Sequence, residues 1–462
     1  MELITKIVQT INEYLSDYIL IFLLVGTGLF YTIRTKFVQI RCFGEGMKRV
    51  FGGIFSKKQG AKGGLSSFQA LATAVAAQVG TGNIVGACGA ILVGGPGAIF
   101  WMWLIAFFGM ATIYAEAILA QETREVSADG SVLGGPVYYI KRAFGGKFGK
   151  FLAGFFAVAC FLALGFMGTM VQSNSISEAV STASSGVIRP WMIGALLAVV
   201  CAFIFIGGIK RIASVAEKIV PAMAVVYIVI GLIVLGINVK LLPETFGLIF
   251  KYAFMPQAIL GGAFGAAIKA AISQGVKRGL FSNEAGMGST PHAHAQAEVK
   301  DPHEQGVVAM IGVFIDTFVV LTITALVVIS TLYAGNGPLG TAEGLATTAL
   351  SKANLMQTAV GTAFGNITLG NVIVAVCLTF FAFTTIISWN FFGKQNVQYL
   401  FGKKATVVYS VLAVGFIFLG SLLKNDLVWD LADMFNNLMV IPNVLALVVL
   451  SGIVVAACKK KK

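Results

Sequence analysis

Long apolar runs that are almost free of charge, separated by short basic segments, constrain the fold of this chain more than any other feature. Residues 95–120, for example, contain a single charged side chain, that of Glu116. A helix needs about 20 mainly apolar residues to cross a lipid bilayer. Because 57% of the 462 residues are hydrophobic and only 11% are charged, a soluble fold would lack the polar side chains to cover its surface. The sequence therefore predicts an all-α, multi-pass protein of the cell membrane.

Eleven runs are predicted to span the membrane. Residues 1–17 place apolar side chains at helical spacing and predict a short helix on the membrane surface. The segment 341–358, in a long loop after the eighth run, fits a helix over the outer mouth and equally an ordinary surface helix. The eleven runs are residues 19–33, 68–93, 95–120, 149–178, 190–208, 213–237, 249–280, 306–333, 370–392, 405–423 and 427–457.

The distribution of the basic residues predicts the orientation. In alternate loops, 26 of the 33 Lys and Arg residues fall on one side and 6 on the other, with Lys277 and Arg278 taken as the cytoplasmic edge of the seventh run. Since Lys and Arg accumulate in cytoplasmic loops, we expect the N-terminus outside the cell and the C-terminus in the cytoplasm. The net charge of +13 then belongs to these loops and does not indicate nucleic-acid binding. The six cysteines show no spacing typical of a metal or redox motif, and no disulfide is expected.

Two of the predicted spans are interrupted by glycine. The second carries Gly80, Gly82 and Gly86 among polar residues, and the seventh carries the run 261–265, Gly-Gly-Ala-Phe-Gly. Unwound backbone is tolerated at membrane depth only where it lines a cavity inside the protein. When the first span is set aside, the breaks fall in the first and sixth of ten spans, so the two halves have opposite orientation. Such paired breaks are typical of secondary transporters with a central site, although a glycine packing face gives a similar pattern.

Motifs spread over most of the chain carry a resemblance to a known family. Through them the sequence resembles the alanine or glycine:cation symporter family of the amino acid–polyamine–cation superfamily. The motifs are Gln-Val-Gly-Thr-Gly-Asn at 78–83, Met-Val-Gln-Ser-Asn-Ser at 170–175, Gly-Leu-Phe-Ser-Asn-Glu-Ala-Gly-Met-Gly at 279–288 and Thr-Thr-Ile-Ile-Ser-Trp at 384–389.

The resemblance implies a leucine-transporter-like core of five-plus-five inverted helices, preceded by one extra helix. Residues 1–66 would hold the surface helix, the extra transmembrane helix and a basic loop. The first repeat would cover residues 67–240 and the second residues 241–462.

The implied function is uptake of small neutral amino acids, alanine or glycine, together with sodium by alternating access, the proton being a less common coupling ion in the family. Two alternatives stay open: a proton-coupled or exchange transporter on the same fold, and an ion channel, which the presence of both breaks in one chain makes less favourable. An enzyme is not expected, because no nucleophile–base pair and no metal-ligand motif stands out in the sequence.

The resemblance also implies a sodium site between the first break and the eighth core helix. Phe381, Thr384 and Thr385 have the i, i+3, i+4 spacing that places one carbonyl and two hydroxyls on one helix face. The matching carbonyls at the break are those of Ala76 and Val79. Oxygen ligands suit a hard cation. The alternative is that both threonines bond to the backbone of their own helix.

The implied substrate site lies at the two breaks. Its carboxylate would face the N–H groups of Thr81, Gly82 and Asn83, because a helix N-terminus favours an anion. Gln172 is interpreted either as an amide contact to the substrate or as a polar residue at the outer end of its helix. The remaining predicted contacts are the carbonyls near Gly261 and Gly262, for the amine, and the ring of Phe264, which would close one side.

Charged residues within the spans are costly and usually paired. Glu116, Lys269 and Asp316 are of this kind, and their positions predict a Lys269–Asp316 ion pair, acting either as a packing clamp or in gating or proton movement. The histidines fit no strong metal motif and are interpreted as solvated loop residues, at positions 292, 294 and 303.

Overall fold

The computed structural model describes residues 2–54, 64–127, 130–255, 264–335, 337–340, 350–423 and 426–459. These residues are mostly helical. In chain order the helices are α1 (Glu2–Tyr14), α2 (Leu20–Arg34), α3 (Val38–Arg41), α4 (Phe43–Ile54), α5 (Ser67–Gln78), α6 (Gly82–Gly94), α7 (Ala98–Thr123), α8 (Pro136–Phe144), α9 (Gly146–Ala183), α10 (Pro190–Ile206), α11 (Gly208–Ile237), α12 (Leu242–Phe254), α13 (Phe264–Asn283), α14 (Pro291–His294), α15 (Pro302–Leu332), α16 (Leu355–Ala363), α17 (Ile367–Phe401), α18 (Ala405–Leu422), α19 (Asp426–Val449) and α20 (Ser451–Lys459).

Two short strands and several irregular turns complete the secondary structure. Strands β1 (Glu125–Val126) and β2 (Val132–Leu133) pair antiparallel in a small hairpin. A π-helical turn, Leu15–Ile19, joins α1 to α2. Further π-helical turns lie inside α6 (Gly82–Gly86), α9 (Phe161–Gly168) and α15 (Phe314–Leu321). Such turns are frequent at functional sites, and the one in α15 contains Asp316.

The described part of the chain contains seven helices that are long and apolar enough to cross a membrane, and the bent pair α5 and α6 makes an eighth. Helices α2 and α10 are shorter apolar helices. The chain is therefore a multi-pass membrane protein, as predicted. The predicted seventh span, 249–280, covers the end of α12 and most of α13, with residues between them that lie outside the described part. The count of eleven, the orientation and the repeat boundaries stay predictions.

The broken pair α5 and α6 lies in the interior. Every residue from Ala70 to Ile91 is buried, including the polar residues Gln78, Thr81 and Asn83 at the break. By contrast, only 33% of the most apolar window of α11 and of α18 is buried inside the protein. These outer helices present apolar faces to lipid, while the break in the α5–α6 pair is enclosed by protein.

Contacts also join segments that lie far apart in the sequence. Leu65 bridges to Ala297, and Gln69 Nε2 donates to Glu217 Oε2 at 2.9 Å. Lys352 Nζ lies 4.5 Å from the centroid of the Trp429 ring. These contacts fix how the helices pack, while the orientation of the protein in the membrane stays a prediction.

The amphipathic segment at the N-terminus forms a helix that packs on α19. Asn12 Nδ2 donates to the carbonyl of Asp430 at 2.7 Å. Val8 is buried, whereas Ile4 and Ile7 are about half exposed. The helix α1 therefore buries one face on the protein and leaves an apolar face outward, as expected of a helix at a membrane surface.

Lys277 and Arg278 do not mark a loop at the cytoplasmic edge, and that prediction is wrong. Both lie inside α13 and pair with Asp433 of α19: Lys277 Nζ is 3.0 Å from Oδ2, and Arg278 Nη1 and Nη2 donate to Oδ1 and Oδ2 at 3.2 and 3.1 Å. The lysine and arginine side chains are only 15% and 13% exposed. Their partner is far away in sequence, so the local pattern could not reveal it. The excess of Lys and Arg in the predicted cytoplasmic loops, on which the predicted orientation is based, stays large without Lys277 and Arg278.

Candidate functional site

The first break separates α5 from α6. Helix α5 begins with a capping box between Ser66 and Gln69 and ends in a bond from the Val79 N–H to the Val75 carbonyl at 2.7 Å. The pair bends by 45°. The side chain of Asn83 closes the break, since its Oδ1 accepts from the Gly80 N–H at 3.0 Å. The sequence signal of glycines among polar residues thus marks a well-defined turn.

An oxygen cluster lies beside this break. Thr385 Oγ1, from the unbroken helix α17, donates to the Ala76 carbonyl of α5 at 2.9 Å and also lies 3.1 Å from the Phe381 carbonyl. Thr384 Oγ1 lies 2.9 Å from that same Phe381 carbonyl. Both threonines are fully buried. The structure therefore brings four of the five predicted sodium ligands together, and the fifth, Val79, directly follows α5.

The structure also contains the bonds of the alternative interpretation, because the Thr384 and Thr385 hydroxyls both bond to the Phe381 carbonyl of their own helix. Thr385 differs from Thr384 in reaching across to α5, whereas Thr384 Oγ1 faces Met223 Sδ of α11 at 3.7 Å. A Cβ added at Gly80 would overlap Thr385 Oγ1. The glycine therefore allows α17 to approach the break closely.

Gln172 of α9 reaches the same break. Its Oε1 accepts from the Thr81 N–H at 3.1 Å and from the Thr81 hydroxyl. The side chain is 1% exposed, so it does not lie at an outer helix end. The structure brings the predicted substrate residues Thr81 and Gln172 together. The Gln172 amide oxygen accepts the hydrogen bond from the Thr81 N–H, the group that was predicted to bind a substrate carboxylate.

Asn83 is tied to a buried carboxylate. Its Nδ2 donates to Asp316 Oδ1 at 2.6 Å, while Ser282 and Thr317 donate to Oδ2 at 2.9 and 2.8 Å. The carboxylate therefore connects α6, α13 and α15. All four residues are fully buried.

The predicted Lys269–Asp316 ion pair is wrong. Lys269 lies on an exposed face of α13, with Nζ 3.3 Å from the hydroxyl of Tyr18 and 4.8 Å from its ring centroid. Asp316 bonds to Ser282, which is 13 residues further along the same helix. At 1.5 Å per residue this is about 20 Å, beyond the reach of a lysine side chain.

A second break follows α13. Glu284, Gly286 and Gly288 all have positive φ angles, of 58°, 90° and 82°. The carboxylate of Glu116 holds this segment, because it accepts the Gly286 and Gly288 N–H groups, each at 3.0 Å. Asn443 Nδ2 donates to Glu116 as well, at 2.7 Å. The buried charge of Glu116 in α7 is thus explained by the backbone it binds.

The two breaks contact each other directly. Gln78 Nε2, at the end of α5, donates to the Asn283 carbonyl at 2.7 Å. A Cβ at Gly82 would stand 3.0 Å from the Cα of Ser282. The end of α13 therefore forms one wall of the site that α5 and α6 open.

Comparison with known proteins agrees with this geometry of paired breaks. Residues 1–461 match the family described as the sodium:alanine symporter family. The chain belongs to the sodium:alanine symporter family. The sodium/alanine symporter AgcS of Methanococcus maripaludis is 43% identical over 98% of this chain and 96% of its own length. The probable sodium/glutamine symporter GlnT of Bacillus subtilis is 38% identical over 99% of this chain and 91% of its own. This member of the sodium:alanine symporter family is therefore a transporter, and the channel alternative is not supported.

A solved structure shows the fold of this symporter family member. The crystal structure of MhsT in complex with L-phenylalanine matches it with a TM-score of 0.59 at 15% identity, over 86% of this chain and 90% of MhsT. MhsT is a leucine-transporter-like protein, so the predicted fold class is confirmed at that level. The likeness concerns the fold alone.

Part of the predicted substrate site of the symporter is not brought to the first break. Gly261 and Gly262 lie outside the described residues. Phe264 is the first residue of α13, which runs without interruption to Asn283. Ser282, which packs on Gly82, lies 18 residues later, or about 27 Å along the helix. The break that faces Gly82 is therefore the one after α13.

Sequence reasoning missed the residues of this second break as site residues, although the signal was present. The segment 279–288 carries three glycines around Ser282, Asn283 and Glu284, the same combination of glycine and polar residues as the first break. Because Lys277 and Arg278, just before it, predict a membrane edge, the segment falls outside the predicted span.

The histidines of the symporter are buried, so the prediction of solvated loop histidines is wrong. His292, His294 and His303 are at most 2% exposed. Asn396 Nδ2 lies 2.9 Å from His292 Nε2, and Gln305 Nε2 lies 2.8 Å from His294 Nδ1. The segment after the second break therefore packs into the protein.

Proposed function

We propose that this chain imports alanine, glycine or similar small neutral amino acids together with sodium, by alternating access across the cell membrane. The observation that carries the proposal is the contact between Thr385 Oγ1 and the Ala76 carbonyl at 2.9 Å. This contact joins the unbroken helix α17 to the last turn of α5, directly before the first break. The start of α6, which offers backbone N–H groups, follows the same break. The names of the relatives AgcS and GlnT support sodium as the coupling ion.

The proposed sodium site is a neutral cage of five oxygens. It contains no carboxylate, which suits a monovalent ion that must bind and leave, whereas a divalent ion usually recruits Asp or Glu. When sodium binds, the Thr385 hydroxyl turns its lone pair toward the ion and gives up its bond to Ala76. The ligands are the carbonyls of Ala76, Val79 and Phe381 and the hydroxyls of Thr384 and Thr385.

The proposed substrate site uses the N–H groups of Thr81, Gly82 and Asn83 for the carboxylate. Because Gln172 Oε1 occupies the Thr81 N–H, substrate binding displaces this amide. The freed Gln172 then turns its NH₂ group toward the carboxylate. We place the acceptor for the substrate amine at the second break, because that segment packs on Gly82.

One sodium ion per substrate supplies enough energy for concentrative uptake. A tenfold sodium gradient is worth about 1.4 kcal/mol, and a potential of about 100 mV adds about 2.3 kcal/mol per charge. Together they sustain roughly a 500-fold gradient of a neutral amino acid.

The direct test is uptake of labelled alanine into proteoliposomes. An inward sodium gradient is expected to drive accumulation above the external concentration, and equal sodium on both sides without a membrane potential is expected to give equilibration only. Replacing sodium by potassium serves as the control. Accumulation driven by a proton gradient in the absence of sodium would instead favour the proton-coupled alternative, and efflux driven by either gradient would favour an exporter.

The tight packing around the breaks predicts a small substrate. Ser282 and Phe281 already lie close to Gly82, so a bulky side chain would have to force this wall apart, at about 1–3 kcal/mol. We expect alanine and glycine to compete with labelled alanine, and leucine and tryptophan to compete about 5- to 150-fold less well. Competition by glutamine, whose side chain is intermediate in size, is informative because the relative GlnT is named a probable sodium/glutamine symporter. Equal competition by tryptophan would contradict this site.

The orientation is tested by labelling introduced cysteines. Cys42 and Cys458 are partly exposed and are first replaced by serine. In right-side-out vesicles, Ser351→Cys is expected to react with an impermeant maleimide, because this exposed residue lies beside Lys352 on the predicted outer side. Lys404→Cys, exposed on the predicted cytoplasmic side, is expected to react only after permeabilisation. The reverse pattern would overturn the orientation.

A further inference from the structure

Side chains that ligate transition metals meet at the predicted cytoplasmic end, away from the two breaks. The Cys42 thiol, the Glu45 carboxylate and the His303 imidazole each place a ligand atom within 4.8 Å of the others. Cys42 and Glu45 flank the start of α4, and His303 lies in the first turn of α15. Since His303 is 258 residues away from Glu45, the cysteine spacing in the sequence gave no sign of this cluster.

The distances fit a shared metal. His303 Nε2 lies 3.3 Å from Glu45 Oε2. Two ligands bound to one tetrahedral zinc ion, each about 2.0–2.1 Å from it, lie about 3.4 Å apart. The imidazole and the carboxylate are therefore already at the separation that a bound ion requires, without rearrangement of the helices.

Neighbouring groups orient these ligands. Tyr114 Oη lies 2.6 Å from His303 Nδ1, and when this hydroxyl accepts the Nδ1 proton it leaves the Nε2 lone pair for a metal. Arg49 Nε donates to the other carboxylate oxygen of Glu45 at 2.9 Å. Metal-binding histidines and carboxylates usually have such partners. His303 is only 2% exposed, so its ring orientation is fixed.

We propose that Cys42, Glu45 and His303 form a binding site for a divalent transition metal of the zinc class, with a fourth position open to water. The Cys42 thiol releases its proton when it binds, because the thiolate is the ligand. A bound ion joins α4 to α15, the helix that carries Asp316 of the transport site. The site therefore provides a way for metal to restrain that helix, separate from the proposed sodium and substrate sites.

The test is a titration of the purified full-length chain in detergent with Cd²⁺, in the presence of a phosphine reductant. We expect the ultraviolet thiolate-to-Cd²⁺ charge-transfer band to saturate at one ion per chain, and Zn²⁺ to abolish it by competition. Cys42→Ser is expected to lose the band. Tyr114→Phe, which keeps the shape of the ring, is expected to weaken binding about 10–100-fold.

A neighbouring variant is the matched control. Glu304→Gln removes a carboxylate that contacts Arg49 at 3.4 Å and is expected to keep the band. Absence of a one-equivalent band in the unmodified chain, or a band that survives Cys42→Ser, would overturn the metal site and leave a hydrogen bond between His303 and Glu45. The readout requires no substrate, so it is independent of the proposed transport.

Discussion

Replacing both Thr384 and Thr385 by valine is expected to raise the sodium concentration for half-maximal alanine uptake about 30-fold or more. Valine keeps the shape of threonine but removes the hydroxyl. Each ligand lost in a buried site costs about 1–3 kcal/mol, and the lower sum for two ligands corresponds to about 30-fold in affinity. Thr385→Val is expected to account for most of the effect, because only Thr385 Oγ1 reaches the Ala76 carbonyl of α5.

The control for this variant is Thr379→Val on the same helix, whose hydroxyl bonds the Ala375 carbonyl at 2.7 Å and does not face α5. Its sodium dependence is expected to stay unchanged. Alanine binding without sodium, measured by calorimetry, is expected to change less than the sodium dependence in the double variant, because the proposed carboxylate contacts remain. Unchanged sodium activation in a correctly folded double variant would place the cation elsewhere.

The first break could be predicted from the sequence because its signal is local. Glycines and polar residues interrupt an apolar run, and the cost of exposed backbone in lipid makes that combination informative. The structure adds what spacing does not contain: Asn83 Oδ1 closes the turn on the Gly80 N–H, and Asp316, far along the chain, holds Asn83.

The break after α13 was not predicted, for a physical reason. Lys277 and Arg278 were expected to need water, as charged residues in a span usually do. In the fold they are satisfied by Asp433, 155 residues away from Arg278. A buried ion pair between distant helices leaves no mark in either local sequence, so the charges were assigned to a membrane edge. The glycine and polar signal at 279–288, which directly follows these charges, then falls outside the predicted span.

The oxygen cluster beside the first break could be predicted only through the family resemblance. The spacing of Phe381, Thr384 and Thr385 is compatible with ordinary bonding of threonines to their own helix, and the structure contains those bonds as well. The contact across to α5 depends on how closely α17 approaches Gly80, which no local pattern reports. The same holds for Gln172, whose partner Thr81 is 91 residues away.

Gln172→Glu is expected to raise the alanine concentration for half-maximal uptake roughly 10- to 150-fold. A carboxylate in place of the amide would accept the Thr81 N–H as a charged acceptor, and hydrogen bonds to charged groups are worth about 1.5–3 kcal/mol, which corresponds to this range. The introduced carboxylate would therefore occupy the position of the substrate carboxylate at the Thr81 N–H and repel the substrate. Sodium activation at saturating alanine is expected to change much less, because Gln172 contacts the substrate side of the break and is not among the proposed sodium ligands.

Gln357→Glu separates this competition from the general cost of a buried carboxylate. Gln357 is also 1% exposed, but its Nε2 donates to the carbonyls of Ala179 and Asn371, neither of which belongs to the break. If burial of charge alone were responsible, the two variants would lose expression and maximal uptake rate in parallel. Competition predicts a selective loss of apparent alanine affinity in Gln172→Glu that a higher alanine concentration overcomes. Gln172→Ala, which removes the competing oxygen together with the amide contact, is expected to lose less affinity than Gln172→Glu. An equal or greater loss in Gln172→Ala would mean that Gln172 acts only as a substrate ligand and that its oxygen does not compete for Thr81.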